Sequence, residues 1–168
     1  VELLRADPSL AACSDGAPGA VKRSRVARLP PPVALDAGEQ ELLNQVIDFY
    51  HQTLLASPEA LAYLDRRDIG NRELIERFKL GFANRTLGLR LPVTQVKAGA
   101  EIRGRLQKLG ILRESGHEHF NGCLVVPVFE DGPGQAGNVG EVYGRKITDG
   151  VNPPLHLYLP GPPRGVWN

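Results

Sequence analysis

The 168-residue chain has no methionine, one tryptophan and two cysteines, and Phe, Trp and Tyr together make up only 6% of it. Cys13 and Cys123 lie far apart and form no CxxC pair, so neither a disulfide framework nor a cysteine-rich zinc site is expected. No apolar run approaches the roughly 18 residues that span a bilayer, and no charged-then-apolar start marks a secretory leader. The expectation is a cytoplasmic protein with no membrane contact. A chain that opens on Val1 and lacks Met is expected to be a segment of a longer one. What is present is globular material: 42% hydrophobic and 23% charged residues, enough for one domain that removes roughly 70% of its unfolded surface from water. Its 19 Gly and 14 Pro predict many turns.

The net charge of +1 conceals an asymmetry. Residues 39–78 carry eight acids against four Arg, whereas residues 79–113 carry eight Lys or Arg against the single acid Glu101. Unbalanced positive charge of that density attracts polyanions, and phosphate neutralisation is its commonest use. The competing reading is a solvated basic face balanced by the acidic helices before it.

Residues 13–36 are rich in Ala, Gly, Pro and Ser, include Lys22, Arg23, Arg25 and Arg28, and end near the run Pro30, Pro31, Pro32. Such a stretch favours extended polyproline conformation and reads as a linker. Asp36 is placed to cap a helix reaching about Ala56, with Leu42, Leu43, Val46, Ile47, Tyr50 and Leu54 at three- and four-residue spacing. Ser57, Pro58 and Glu59 signal a second helix ending near Gly70, and Asn71 caps a short third. Residues 79–83 alternate and predict a strand, while 84–100 show no strong period. Residues 103–108, closed by Gly110, predict a helix presenting Arg103, Arg105 and Lys108 outward. Two β-branched runs, 123–129 and 139–147, flank a Gly- and Asp-rich stretch and predict a hairpin with a long loop. Pro127 within the first run predicts an edge or a bulge there. Residues 150–168 hold five Pro and three Gly and predict a loop, with a short strand at 155–159.

A catalytic centre finds little support. His117, His119 and Cys123 are ligand types without a fourth partner, and Gly132-Pro133-Gly134 is followed by no Gly-Lys-Ser/Thr. A hydrolase using His117 or His119 is the weakest reading. More is carried by Tyr143-Gly144-Arg145-Lys146, two cations beside a Gly that lets a polymer approach closely, and by His156, Tyr158 and Arg164 in the Pro-rich loop. These are groups that grip phosphates and stack on bases.

The order of these pieces resembles a known family. Residues 75–83 (IERFKLGFA), 106–112 (LQKLGIL), 119–122 (HFNG) leading into 126–128 (VPV), 142–146 (VYGRK) and 157–162 (LYLPGP) look like the amino-terminal subdomain of the catalytic core of bacterial DnaG-type primases. The likeness covers about residues 40–168. It implies an α+β fold, amino-terminal helices followed by a small, mostly antiparallel sheet. It implies a residue 37–168 subdomain that holds single-stranded DNA template and RNA primer beside a Toprim active site outside this chain. Residues 1–36 are then a linker after an upstream zinc-binding domain. Zn and Mg belong to the longer protein and no cofactor to this chain, which is expected to be inactive alone. Arg145 matches the family's arginine after glycine and Tyr158 the tyrosine of its YLN loop. The candidate nucleic-acid-binding residues are thus Arg103, Arg105, Lys108, Arg145, Lys146, His156, Tyr158 and Arg164. The family's basic residues fall here on His119, Asn121 and Cys123, its lysine before Tyr-Leu on Leu157, and its asparagine after Tyr-Leu on Pro160. These departures suggest a divergent branch, such as the primase-like proteins of mobile elements. The alternative is a replisome interaction module whose three helices dock a replicative helicase or other partner.

Overall fold

The structure is a computed structural model that describes residues 29–130, 137–147 and 156–160. Helices α1 (Glu39–Leu55), α2 (Pro58–Asp65) and α3 (Arg72–Arg77) come first. Strand β1 (Gly81–Ala83), a single turn α4 (Leu87–Arg90) and helix α5 (Lys97–Lys108) follow. Strands β2 (Cys123–Phe129), β3 (Val139–Lys146) and β4 (His156–Tyr158) complete the described elements. The four strands form one antiparallel sheet in the order β1-β2-β3-β4. This is the α+β arrangement expected.

The caps at α2 and α3 act as their side-chain chemistry dictates: Ser57 Oγ accepts from the Ala60 amide at 3.4 Å and Asn71 Oδ1 from that of Glu73 at 2.8 Å. At α1 the expectation fails. The helix starts after Gly38, which provides no side-chain cap, and not at Asp36. Helix α2 stops at Asp65, five residues short of Gly70, because Arg66 to Asp68 turn away and Asp68 takes a left-handed conformation, φ 58°. Lys79 is also left-handed, φ 51°, which delays β1 to Gly81. Helix α5 is twice as long as its charge cluster suggested, and Gly99 in its first turn packs so closely on the Val93 carbonyl that any side chain would collide with it.

Two apolar clusters sandwich the sheet. On one face α1 and α5 bury Val46, Ile47, Tyr50, Ile102 and Leu106 against Phe120, Val125 and Val142. On the other, Leu54 of α1 with Leu64 of α2 and Ile75 of α3 covers Phe82 and Leu124, with Val126 and Ile147 packed alongside. The second cluster reaches only the β1 and β2 side of that face. Gln40 and Asn44 of α1 hold the start of β3, donating to the Val139 carbonyl at 3.1 Å and accepting its amide at 3.3 Å. Residues 29–36, the end of the stretch read as linker, lie on the domain: Val33 is buried in the first cluster, as is Ala37 just after it. Pro127 stands past the end of β1, whose pairing with β2 stops at Val125, and one residue before a register shift at Val128 and Phe129. Its missing amide therefore takes no ladder bond from β1, as the edge-or-bulge expectation requires.

Candidate nucleic-acid interface

Antiparallel pairing sets Arg145 opposite His156 and Tyr143 opposite Tyr158. Side chains alternate faces along a strand, so these four share one face of the sheet, the part α2 and α3 leave uncovered. Tyr143 lies between two rings, with centroids 5.4 Å from Tyr158 and 5.8 Å from His156. Arg145 Nη1 donates to His156 Nε2 at 2.6 Å, and Tyr143 Oη meets His156 Nδ1 at 2.7 Å. Tyr158 is 43% exposed and His156 is exposed, while Tyr143 and Arg145 are half-buried. The result is a platform of two phenol rings and one imidazole with a guanidinium at its border.

The sequence reading brought Arg145, His156 and Tyr158 to this place and missed Tyr143, whose period-two relation to Arg145 was the available signal. Other expectations change. Lys146 points to the opposite face and its amine donates to the Asn121 carbonyl, because consecutive strand residues cannot share a face. Gly144, read as an opening for a polymer, is buried over Phe120: a Cβ there would sit 2.5 Å from the ring. Its bareness makes room for the core.

The basic residues of α5 do not line an open trough. Arg103 donates to the carbonyls of Pro92 at 3.2 Å and Gly88 at 2.7 Å. Arg105 donates to the carbonyls of Leu35, at 2.9 Å, and Ala37. Lys108 pairs with Glu39 of the acidic α1 at 2.6 Å, and that contact lowers the Glu39 pKa. A guanidinium with several donors meets the nearest unpaired carbonyls, and here those belong to the loops that α5 packs on. Arg164 lies outside the described residues, as do Lys22, Arg23, Arg25, Arg28 and Cys13.

Behind the platform, on the opposite face, a pocket of about 280 Å³ is bordered by Arg113, His117, His119, Asn121 and Lys146. The positions where the resemblance lost basic residues lie at or beside it. Asn121 gathers cations from elsewhere, its side-chain oxygen accepting from Arg85 and its carbonyl from Lys146. Arg85 takes a left-handed backbone, φ 70°, an unfavourable conformation for a non-glycine residue that no sequence pattern announces. His119 donates from Nε2 to the Tyr158 carbonyl at 2.8 Å and so fixes β4, and burial lowers its pKa. Cys123 is buried, with a thiol pushed up to about 11, which leaves it unreactive. Glu118 is buried beneath, accepting the Leu87 amide at 2.9 Å, and burial raises its carboxyl pKa. Among the described residues no group of three or more His, Cys, Asp or Glu is placed to hold a metal ion. No helix of the described residues is long and apolar enough to cross a membrane.

No protein-family model matches the chain, and no curated protein does. Solved structures do. A DnaG catalytic core superposes with a TM-score of 0.58 at 25% identity, over 74% of this chain and 38% of that one. The Aquifex aeolicus primase, comprising zinc-binding and RNA polymerase domains, gives 0.58 at 24% identity, over 77% and 30%. A DnaG primase catalytic domain bound to single-stranded DNA gives 0.55 at 25%, over 74% and 39%. The chain thus spans well under half the length of each structure it matches. With the ordered motifs from residue 75 to 162, these likenesses show a chain similar to DnaG-type primases that carries the fold of part of their catalytic core.

Proposed function

We propose that this chain is the nucleic-acid-binding amino-terminal subdomain of a DNA primase, which holds single-stranded template and RNA primer next to a Toprim active site elsewhere in the parent protein. Joining nucleotides requires divalent metal held by clustered carboxylates. In this reading that work belongs to Toprim, a zinc-binding domain precedes the linker, and this chain contributes binding alone. The observation that carries the reading is the platform of Tyr143, Arg145, His156 and Tyr158. Aromatic faces accept any unpaired base and a bordering guanidinium takes phosphate, so the surface suits single strands without reading their sequence. The DnaG catalytic domain bound to single-stranded DNA, a structure of the same fold, supports the choice of ligand.

The test is binding of a labelled single-stranded oligonucleotide of about 16 nucleotides, followed by anisotropy across salt concentrations. Affinity should fall steeply between about 50 and 200 mM salt. Arg145→Ala should weaken binding about tenfold and make the log-log salt slope shallower by about 0.7, the share of one phosphate contact on a single strand. Lys108→Ala, which removes a cation already paired with Glu39, should change affinity far less. Salt-independent binding, or none at low salt, would end this reading.

A further inference from the structure

Both ring nitrogens of His156 are engaged. Nε2 meets Arg145 Nη1 at 2.6 Å and Nδ1 meets Tyr143 Oη at 2.7 Å. A guanidinium only donates, so Nε2 must be an acceptor and carries no proton, and the single ring proton sits on Nδ1, donated to Tyr143. The contact therefore exists only for the uncharged ring. Arg145 is the group on this face best suited to phosphate, and it is held by a partner that one proton would turn from acceptor to donor.

We infer that His156 is a positioning residue: neutral, it holds the Arg145 guanidinium on the platform, and protonated, it hands that guanidinium to a nucleic-acid phosphate, so that binding takes up a proton. This rests on the platform being the nucleic-acid surface. The proton comes from solvent and ends on Nε2, where it adds a second cation beside the released one. A phosphate competes with the imidazole for the same donors, so nucleic acid favours the protonated ring and the protonated ring favours nucleic acid.

The surroundings suit the exchange. From β3 the groups facing His156 are Tyr143 and Arg145, and from β4 Tyr158. Glu141, next on the same face, is buried and accepts the amides of Val142 at 2.9 Å and Leu159 at 3.3 Å. His119 reaches β4 on the Tyr158 carbonyl. The apolar cluster that Ile147 joins on this face also takes Tyr63 of α2, over which Arg66 and Arg67 stack. Of the groups named here the one carboxylate, Glu141, accepts backbone amides, and in this inference a nucleic-acid phosphate supplies the counter-ion for a charged His156.

The experiment measures oligonucleotide affinity of the whole chain at fixed salt between about pH 6 and pH 8, the range in which histidine alone among unperturbed side chains changes charge. The unsubstituted chain should bind roughly tenfold more tightly at the acid end, the direction that proton uptake on binding requires. His156→Gln and His156→Ala should each flatten that dependence to less than about twofold. His117→Asn, at an exposed histidine off the platform, should keep it. Titration calorimetry in buffers of different ionisation heat should register proton uptake by the unsubstituted chain and none by either His156 variant, a readout that a merely structural role would not move. If either His156 variant keeps the original pH dependence, or the unsubstituted chain binds equally at both ends, the inference is overturned while the platform reading stands. Absence of binding at every pH would overturn both.

Discussion

Gly144 illustrates how a residue type is read correctly and its purpose missed. A glycine before an arginine on a strand announces close approach, and close approach is what the structure shows, but from below: Phe120, wholly buried, occupies the space a Cβ would need. Gly144→Ala should therefore destabilise the fold by about 1–3 kcal/mol through overpacking, measured by urea unfolding. An unchanged midpoint would mean the ring moves aside at no cost. The contrast between Arg145 and Lys146 is of the same kind. Adjacent cations look alike in sequence, yet the strand sends one to the aromatic platform and the other to the Asn121 carbonyl on the reverse face.

At the level of elements, the strands and the first three helices were legible because their periods are strong, whereas only the second half of α5 was. The β2 boundaries agree with the expected run, and α1 to α3 contain the apolar positions their spacing marked, although α1 starts later and α2 ends earlier than expected. The single turn α4 was not legible, since it forms through tertiary contacts rather than propensity. Its first amide, that of Leu87, is held by Glu118 from 31 residues away. That arrangement has a pH signature. Burial raises the Glu118 pKa above the usual 4.5, so the folded state binds the proton more tightly than the unfolded one. The stability this provides is complete below the usual value and is lost as pH rises through the raised one. Glu118→Gln keeps an oxygen for the Leu87 amide and cannot ionise. Its Tm relative to the unsubstituted chain should climb from about pH 4.5 towards neutrality in thermal scans, and parallel curves would refute the account. The site was only half legible for a similar reason. Charge density marked α5, but its arginines answer nearby carbonyls, and only the three-dimensional neighbourhood of a guanidinium decides which acceptors it meets.

For the molecule as a whole, the two apolar clusters are separate bodies of contacts sharing the same backbone. Helix α1 gives Tyr50 to one and Leu54 to the other, and β2 divides Val125 and Leu124 between them. Removing Phe120 from the first or Leu64 from the second should then lower one common unfolding transition, by about 3–5 kcal/mol for Phe120→Ala and about 2–5 kcal/mol for Leu64→Ala. Circular dichroism in the far and near ultraviolet should trace coincident curves for both variants. Two resolved steps would show that the clusters fold independently. The same geometry has a further consequence at the outer margin of β2. Past Val125 that strand continues without β1 beside it, yet Pro127 there is buried, so the margin is closed to water at that point. Pro127 brings no amide hydrogen to that covered margin, and the register shift at Val128 and Phe129 follows it directly. The residue that looked like a flaw in a β-run costs this strand nothing, because a hydrogen-bearing amide in that covered place, away from both water and a neighbouring strand, would have been left without a partner.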